Sequence, residues 1–121
     1  METTDDDARA VAAGGASRSI RVLNDAFRQT LVGGRSVITA GVAALGTETC
    51  GLLLDKVRRY SAFTPDSDPY AEHDFGAFDH GGTRFFWKID YFDRSLTVGS
   101  EDPADPDRTT RVLTLMKAEE Y

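Results

Sequence analysis

Apolar residues recur at helical spacing in two stretches of the chain. The first stripe follows Ser17 and Ser19, either of which can cap a helix, and Gly33-Gly34 supplies the left-handed backbone that ends it. The second stripe follows Thr47, a plausible helix cap, and ends in a basic turn. The stripes consist of Ile20, Leu23, Phe27 and Leu31 in the first helix, and Cys50, Leu53, Leu54 and Val57 in the second.

Three further stretches predict β-strands. Residues 35–42 are short, β-branched and bounded by glycines, which is typical of a strand. Residues 72–93 alternate apolar and polar side chains on both sides of Gly81-Gly82 and therefore predict a β-hairpin. On its second strand one face is wholly apolar or aromatic, and the other mixes charge with Phe86 and Phe92.

The C-terminal stretch predicts a third helix. Asp105 is a candidate cap, Pro106 suits the first helical position, and Val112, Leu115 and Met116 form the buried stripe. The order α-β-α-β-β-α predicts an α+β fold, with a small, mostly antiparallel sheet and a central β-hairpin packed against about three helices. We expect one domain over residues 17–121, preceded by a disordered acidic tail at residues 1–16.

Charge is unevenly distributed along the chain. Residues 61–107 hold eleven acidic and three basic residues, whereas residues 8–60 hold eight basic and three acidic ones. An acidic surface around the hairpin repels nucleic acid and attracts basic partners. Direct nucleic-acid binding is therefore disfavoured, and a protein partner with a basic surface is expected.

The composition indicates the cellular compartment of the protein. The single cysteine, Cys50, excludes an internal disulfide and fits a reducing cytoplasm. No stretch has the roughly 20 apolar residues needed to span a bilayer, and the acidic N-terminus does not resemble an export signal. We expect a cytoplasmic protein with no membrane association, either a monomer or a homodimer.

Known chemical motifs do not fit. Asp66-Ser67-Asp68 resembles the start of a calcium loop, but Ala77 stands where a bidentate Glu is required. Neither glycine pair is followed by the Lys and Ser/Thr of a phosphate-binding loop. Neither histidine has a partner at metal-binding spacing, so we expect no metal, no cofactor and no catalytic residue.

A second hypothesis is an enzyme, because the hairpin also contains groups suited to acid–base catalysis. A small hydrolase or transferase could use a pocket lined by His73, Asp74, Lys88 and Asp90. Lys88 and Asp90 lie two residues apart on one strand face and could form an ion pair.

Three long strings, HDFGAF, FFWKIDYFD and GSEDPADPDRTTRVLTLMKAEEY, resemble an uncharacterised proteobacterial family catalogued as domain of unknown function 3768. The resemblance extends over roughly Ile20–Tyr121. It implies a small cytoplasmic accessory protein of bacterial mobile genetic elements, found beside anti-restriction genes, and it brings no activity or catalytic residue.

Together these observations favour a small non-enzymatic interaction or regulatory protein. It would be a counter-defence inhibitor that uses its acidic surface against a nucleic-acid-binding protein. The residues expected to contact the partner are Phe92, Asp90, Asp93, Glu101, Asp102 and Asp105. In a homodimer, the Phe86/Phe92 face would be the subunit interface.

Overall fold

The computed structural model describes residues 5–121, with side chains from Gly15 onward. The elements are α1 (Asp5–Thr30), β1 (Gly34–Ile38), α2 (Ala40–Ala43), α3 (Thr47–Arg58), β2 (Phe75–His80), β3 (Thr83–Phe92), β4 (Thr110–Lys117) and a short 3-10 helix (Ala118–Glu120). This is the expected α+β class.

Four strands form one mixed sheet in the order β1-β4-β3-β2. The β2–β3 hairpin and the β3–β4 pair are antiparallel, and β1 runs parallel to β4. The sheet is therefore mostly antiparallel, as predicted, and β4 is an inner strand that joins β1 to the hairpin.

The core lies between the helices and one face of the sheet. Alternate strand residues point to that face, and they meet apolar side chains from all three α-helices. Its buried members are Phe27, Val42, Cys50, Leu53, Val57, Phe85, Trp87, Ile89, Leu113 and Leu115. The faces predicted for the first two helices and for β3 are therefore confirmed.

The helix predicted at the C-terminus is wrong, because residues 110–117 form strand β4. Asp105 accepts a hydrogen bond from the Asp107 amide in a loop and does not cap a helix. Leu113 and Leu115 point to the core, and Met116 is buried on the opposite face. The apolar positions that suggested a helical stripe thus belong to two faces of a strand.

Smaller differences concern element ends. Ser17 and Ser19 lie inside α1, so neither caps its N-terminus. The predicted strand at residues 35–42 ends at Ile38, and α2 follows it. The N-cap of α3 is Gly46, and Thr47 is its first helical residue.

Of the acidic tail predicted for residues 1–16, residues 1–4 lie outside the described residues and residues 5–16 form the start of α1. The disorder of this tail stays a prediction. Within the described part of the chain, no helix combines the length and apolar character needed to cross a membrane.

Candidate functional site

His73 lies between two carboxylates on the helix side of the sheet. Its Nδ1 is 2.8 Å from Asp25 Oδ1 on α1, and its Nε2 is 3.6 Å from Asp68 Oδ2 in the loop before β2. The imidazole also stacks on Phe63, with ring centroids 3.7 Å apart and an angle of 3° between the ring planes. We call Asp25, Phe63, Asp68 and His73 the His73 cluster.

Hydrogen bonds from backbone amides to the Asp68 carboxylate fix the conformation of this loop. Asp68 Oδ1 accepts hydrogen bonds from the Glu72 and His73 amides at 3.1 and 3.2 Å. His73 and Ala71 both have φ near +55°, at 55° and 53°, a left-handed conformation that few non-glycine residues adopt. Because the buried Asp68 carboxylate fixes this turn, the position of the His73 ring is set by the fold.

Beside the His73 cluster, a buried polar network joins α1 to the sheet. Asn24 Nδ2 donates to the Glu72 carbonyl and to the Tyr91 hydroxyl, and Asn24 Oδ1 accepts from Arg111 Nε at 2.7 Å. The Tyr91 hydroxyl donates to Asp74 Oδ2 at 3.3 Å. Asn24 and Arg111 are both buried, so this network fixes the angle at which α1 crosses the sheet.

Burial changes the acidity of these groups. It raises the pKa of the Asp74 carboxyl, although the Tyr91 hydrogen bond opposes the rise. It also raises the pKa of Glu72, and the charges of Asp74 and Asp68 add to that effect. Burial lowers the pKa of the Arg111 guanidinium. At Glu72 the positive charge of Arg111 opposes the effect of the two aspartates.

Arg28 connects α1 to the end of α3. Its Nη1 donates to the carbonyls of Val57, Arg58 and Tyr60, and its Nη2 pairs with Asp25 Oδ1 at 3.0 Å. The same Asp25 carboxylate thus holds both Arg28 and His73.

Lys88 and Asp90 lie on the opposite face of the sheet. They form an ion pair of 2.9 Å, in agreement with their predicted proximity, and both side chains are more than one-third exposed. The same face carries an aromatic group in which Tyr121 packs against Phe75 and Phe86, with ring centroids 6.3 and 5.5 Å apart.

The four residues of the predicted His/Asp/Lys pocket are therefore not brought to one place. His73 and Asp74 contact residues that face the helices, whereas Lys88 and Asp90 point away from them. Among the side chains that the structure describes, no group of three His, Cys, Asp or Glu residues is arranged to hold a metal ion.

Only some of the predicted partner-binding residues lie close together. Phe92 pairs with Gly99 in an antiparallel bridge, and the Ser100 amide donates to the Tyr91 carbonyl, so the loop after β3 folds back along the strand. This brings Glu101 near the end of β3, where Asp90, Phe92 and Asp93 lie. We call Asp90, Phe92, Asp93 and Glu101 the acidic end.

Several of these carboxylates also shape the loop. Asp93 accepts hydrogen bonds from the Thr97 amide and from the Ser95 and Thr97 hydroxyls, and these bonds hold the pKa of Asp93 below its usual range. Asp102 accepts from the Ala104 amide, and Glu101 pairs with Arg108 at 2.9 Å. Asp102 and Asp105 are thus primarily turn formers.

Sequence reasoning missed Asn24, Asp25, Arg28 and Arg111. Asp25 and Arg28 were placed away from the apolar face of the first helix, Asn24 was given no role, and Arg111 was assigned to a C-terminal helix where the structure has β4. One signal was available: Asn24, Arg28 and Leu31 lie at the i, i+4 and i+7 positions of one helix face.

The fold and its two sites describe a two-layer α+β domain with a polar helix–sheet junction and an acidic sheet end. A model of the protein family of unknown function DUF3768 matches residues 38–120, and the chain belongs to this family. Comparison with curated proteins and with solved structures found no match.

Proposed function

We propose that this protein is a small non-enzymatic interaction protein whose acidic end binds a basic surface of another protein. The observation that supports this proposal is the fold-back of the loop after β3 at the Phe92–Gly99 bridge. It places Glu101 beside a strand end that already carries Asp90 and Asp93, with Phe92 between them as an apolar anchor.

The Asp93 carboxylate of the acidic end stays negatively charged at physiological pH. The hydrogen bonds that lower the pKa of Asp93 keep its carboxylate ionised over the physiological range. Complementary charge raises the rate of association and selects the partner more than it raises affinity. Binding should therefore weaken strongly as the salt concentration rises.

The resemblance to a proteobacterial mobile-element family supports a more specific proposal. The partner would be a cytoplasmic nucleic-acid-binding defence or replication protein, and the acidic end would compete for its DNA or RNA site. This is a counter-defence role without catalysis.

The test is a pull-down from a host lysate, followed by titration of the captured protein in purified form. The variant carries Asp90→Asn, Asp93→Asn and Glu101→Gln, which removes the charge of the acidic end but leaves an oxygen acceptor for the turn that Asp93 forms. A matched control removes the same charge elsewhere through Glu48→Gln, Asp55→Asn and Asp66→Asn, all outside the acidic end.

We expect a basic protein that wild type and the control retain equally, and that the acidic-end variant binds at least about tenfold more weakly, as expected for lost charge pairs. Equal affinity for both variants would overturn the proposal. Light scattering of the same samples gives the oligomeric state, and a monomer mass at high micromolar concentration would count against the Phe86/Phe92 face as a self-interface.

A further inference from the structure

A shallow cavity opens beside the His73 cluster, on the face of the sheet opposite to the acidic end. Its volume is about 310 Å³, within the lower range of small-ligand sites. The walls are mainly apolar, and two ionisable side chains interrupt them. The lining includes Phe63, Pro65, Asp68, Pro69, Ala71 and His73.

Only one oxygen of the Asp68 carboxylate accepts hydrogen bonds within the fold. Its side chain is 7% exposed, and Oδ1 accepts the two backbone hydrogen bonds that shape the turn. Among the described residues, none donates a hydrogen bond to Oδ2, and the 3.6 Å to His73 Nε2 is too long for one. A nearly buried carboxylate oxygen thus lines the cavity without a donor.

His73 forms the wall beside this oxygen. Carboxylates only accept hydrogen bonds, so Nδ1 carries the proton that it donates to Asp25, and Nε2 points toward Asp68 Oδ2 at 3.6 Å. A group with several N–H donors and a positive charge is suited to bind Asp68 Oδ2 beside the imidazole ring.

The surroundings favour a cation. Glu72 and Asp74 lie beside the His73 cluster, and the negative charge of Asp68 contributes to the raised pKa of both carboxyls. Two guanidinium groups already lie against this site, but among the described residues neither donates to Asp68 Oδ2. Arg28 binds Asp25 and three carbonyls, and Arg21 binds the Ala71 carbonyl.

We propose that this cavity binds an ammonium or guanidinium group, with an N–H bond to Asp68 Oδ2 beside the His73 ring. The aliphatic stem would lie along Pro65 and Pro69. The site goes beyond the proposed function and does not depend on it, because its residues are distinct from those of the acidic end.

The first experiment is an NMR titration of the ¹⁵N-labelled full chain with butylguanidinium, and with butylurea as a neutral probe of the same shape. We expect saturable shifts at the Ala71, Glu72 and His73 amides and intermolecular NOEs from the butyl chain to Pro65 and Pro69. Butylurea should give neither. Shifts confined to other residues, or no saturation by about 50 mM, would overturn the proposal.

Asp68→Asn is the main variant, since the asparagine oxygen can still accept the two amide bonds while the charge is lost. We expect it to weaken butylguanidinium binding by at least about tenfold, as for loss of a charge-assisted hydrogen bond. Asp66→Asn is the control, because Asp66 is an exposed residue of the same loop that does not line the cavity. Equal weakening in both variants would contradict a specific site. The wild-type NOEs test the proposal even if Asp68→Asn does not fold.

Two sources of the group are distinguished by further probes. Agmatine represents a free amine, and a short peptide with one Arg represents a protein side chain, with the citrulline peptide as its neutral control. Tighter binding of the Arg peptide than of agmatine indicates a protein source, and equal binding indicates recognition of the cationic group alone. Equal binding of the citrulline and Arg peptides would overturn the role of charge.

Discussion

At the scale of single residues, Asp74 provides a test of the polar junction by pH. Burial raises its pKa above the usual value of 3.8, so the folded state holds the proton more tightly than the unfolded chain. Its contribution to stability is therefore full below the usual pKa and is lost as the pH rises through the raised value. Asp74→Asn keeps an oxygen acceptor for the Tyr91 hydroxyl and should match wild type at about pH 3 but exceed it at about pH 7.

The measurement is the free energy of unfolding in urea for both proteins across that pH range. Asp93→Asn is a control of opposite sign. The pKa of Asp93 is lowered in the fold, so the Asp93 carboxylate stabilises at neutral pH and this contribution is lost on acidification. If Asp74→Asn were less stable than wild type at neutral pH, the carboxylate would be favoured by its surroundings and not penalised by burial.

The sequence contained the acidic residues but not their arrangement. Asp90 and Phe92 lie two residues apart on one face of β3 and Asp93 directly follows the strand, so their proximity followed from the sequence. The contact between His73 and Asp25 joins residues 48 positions apart, and no local pattern encodes it. Pairings of this kind depend on how α1 crosses the sheet, which is settled by tertiary packing.

At the scale of elements, β4 shows where pattern reasoning fails. Its buried positions include Arg111 on the core face and Met116 on the other, so strict alternation of apolar and polar residues is hidden. The signal that favoured a strand was the β-branched run of Thr109, Thr110, Val112 and Thr114. In the hairpin, by contrast, turn residues and alternation agreed, and both strands were predicted correctly.

The close packing of β2 on β3 gives a prediction for this element pair. Gly76 lies opposite Trp87, and a Cβ atom there would be 2.6 Å from Trp87 Cε2 and 2.7 Å from Tyr60 Cζ. Gly76→Ala should therefore destabilise the fold by about 2–3 kcal/mol through overpacking. Chemical denaturation monitored by circular dichroism measures this change.

Gly51→Ala is the matched control in α3, since its Cβ would meet nothing within 4 Å. It should stabilise the protein by about 0.5–1 kcal/mol through helix propensity. A loss of stability at Gly51, or none at Gly76, would contradict the packing described between α3, β2 and β3.

At the scale of the whole molecule, β4 joins the two halves of the sheet, and one core contains side chains from all three α-helices and from β3 and β4. We therefore expect residues 17–121 to unfold as one cooperative unit. Unfolding followed by Trp87 fluorescence and by far-ultraviolet circular dichroism should give coincident transitions.

Leu113→Ala should shift both transitions together, because Leu113 is fully buried in β4 and its truncation costs about 2–5 kcal/mol. Leu52→Ala on the exposed side of α3 should change stability by no more than about 0.5 kcal/mol. Two separate transitions in either variant would show that residues 17–121 contain two units that unfold independently, which contradicts the predicted single domain.

The position of β4 also determines when the protein can fold during synthesis. The hairpin leaves the ribosome before β4, but β1 has no partner until residues 110–117 emerge. Until then the helices lack the part of the core that β4 supplies through Leu113 and Leu115, and such intermediates are targets for chaperones and proteases. A chain that ends before β4 should therefore be degraded and leave no folded fragment.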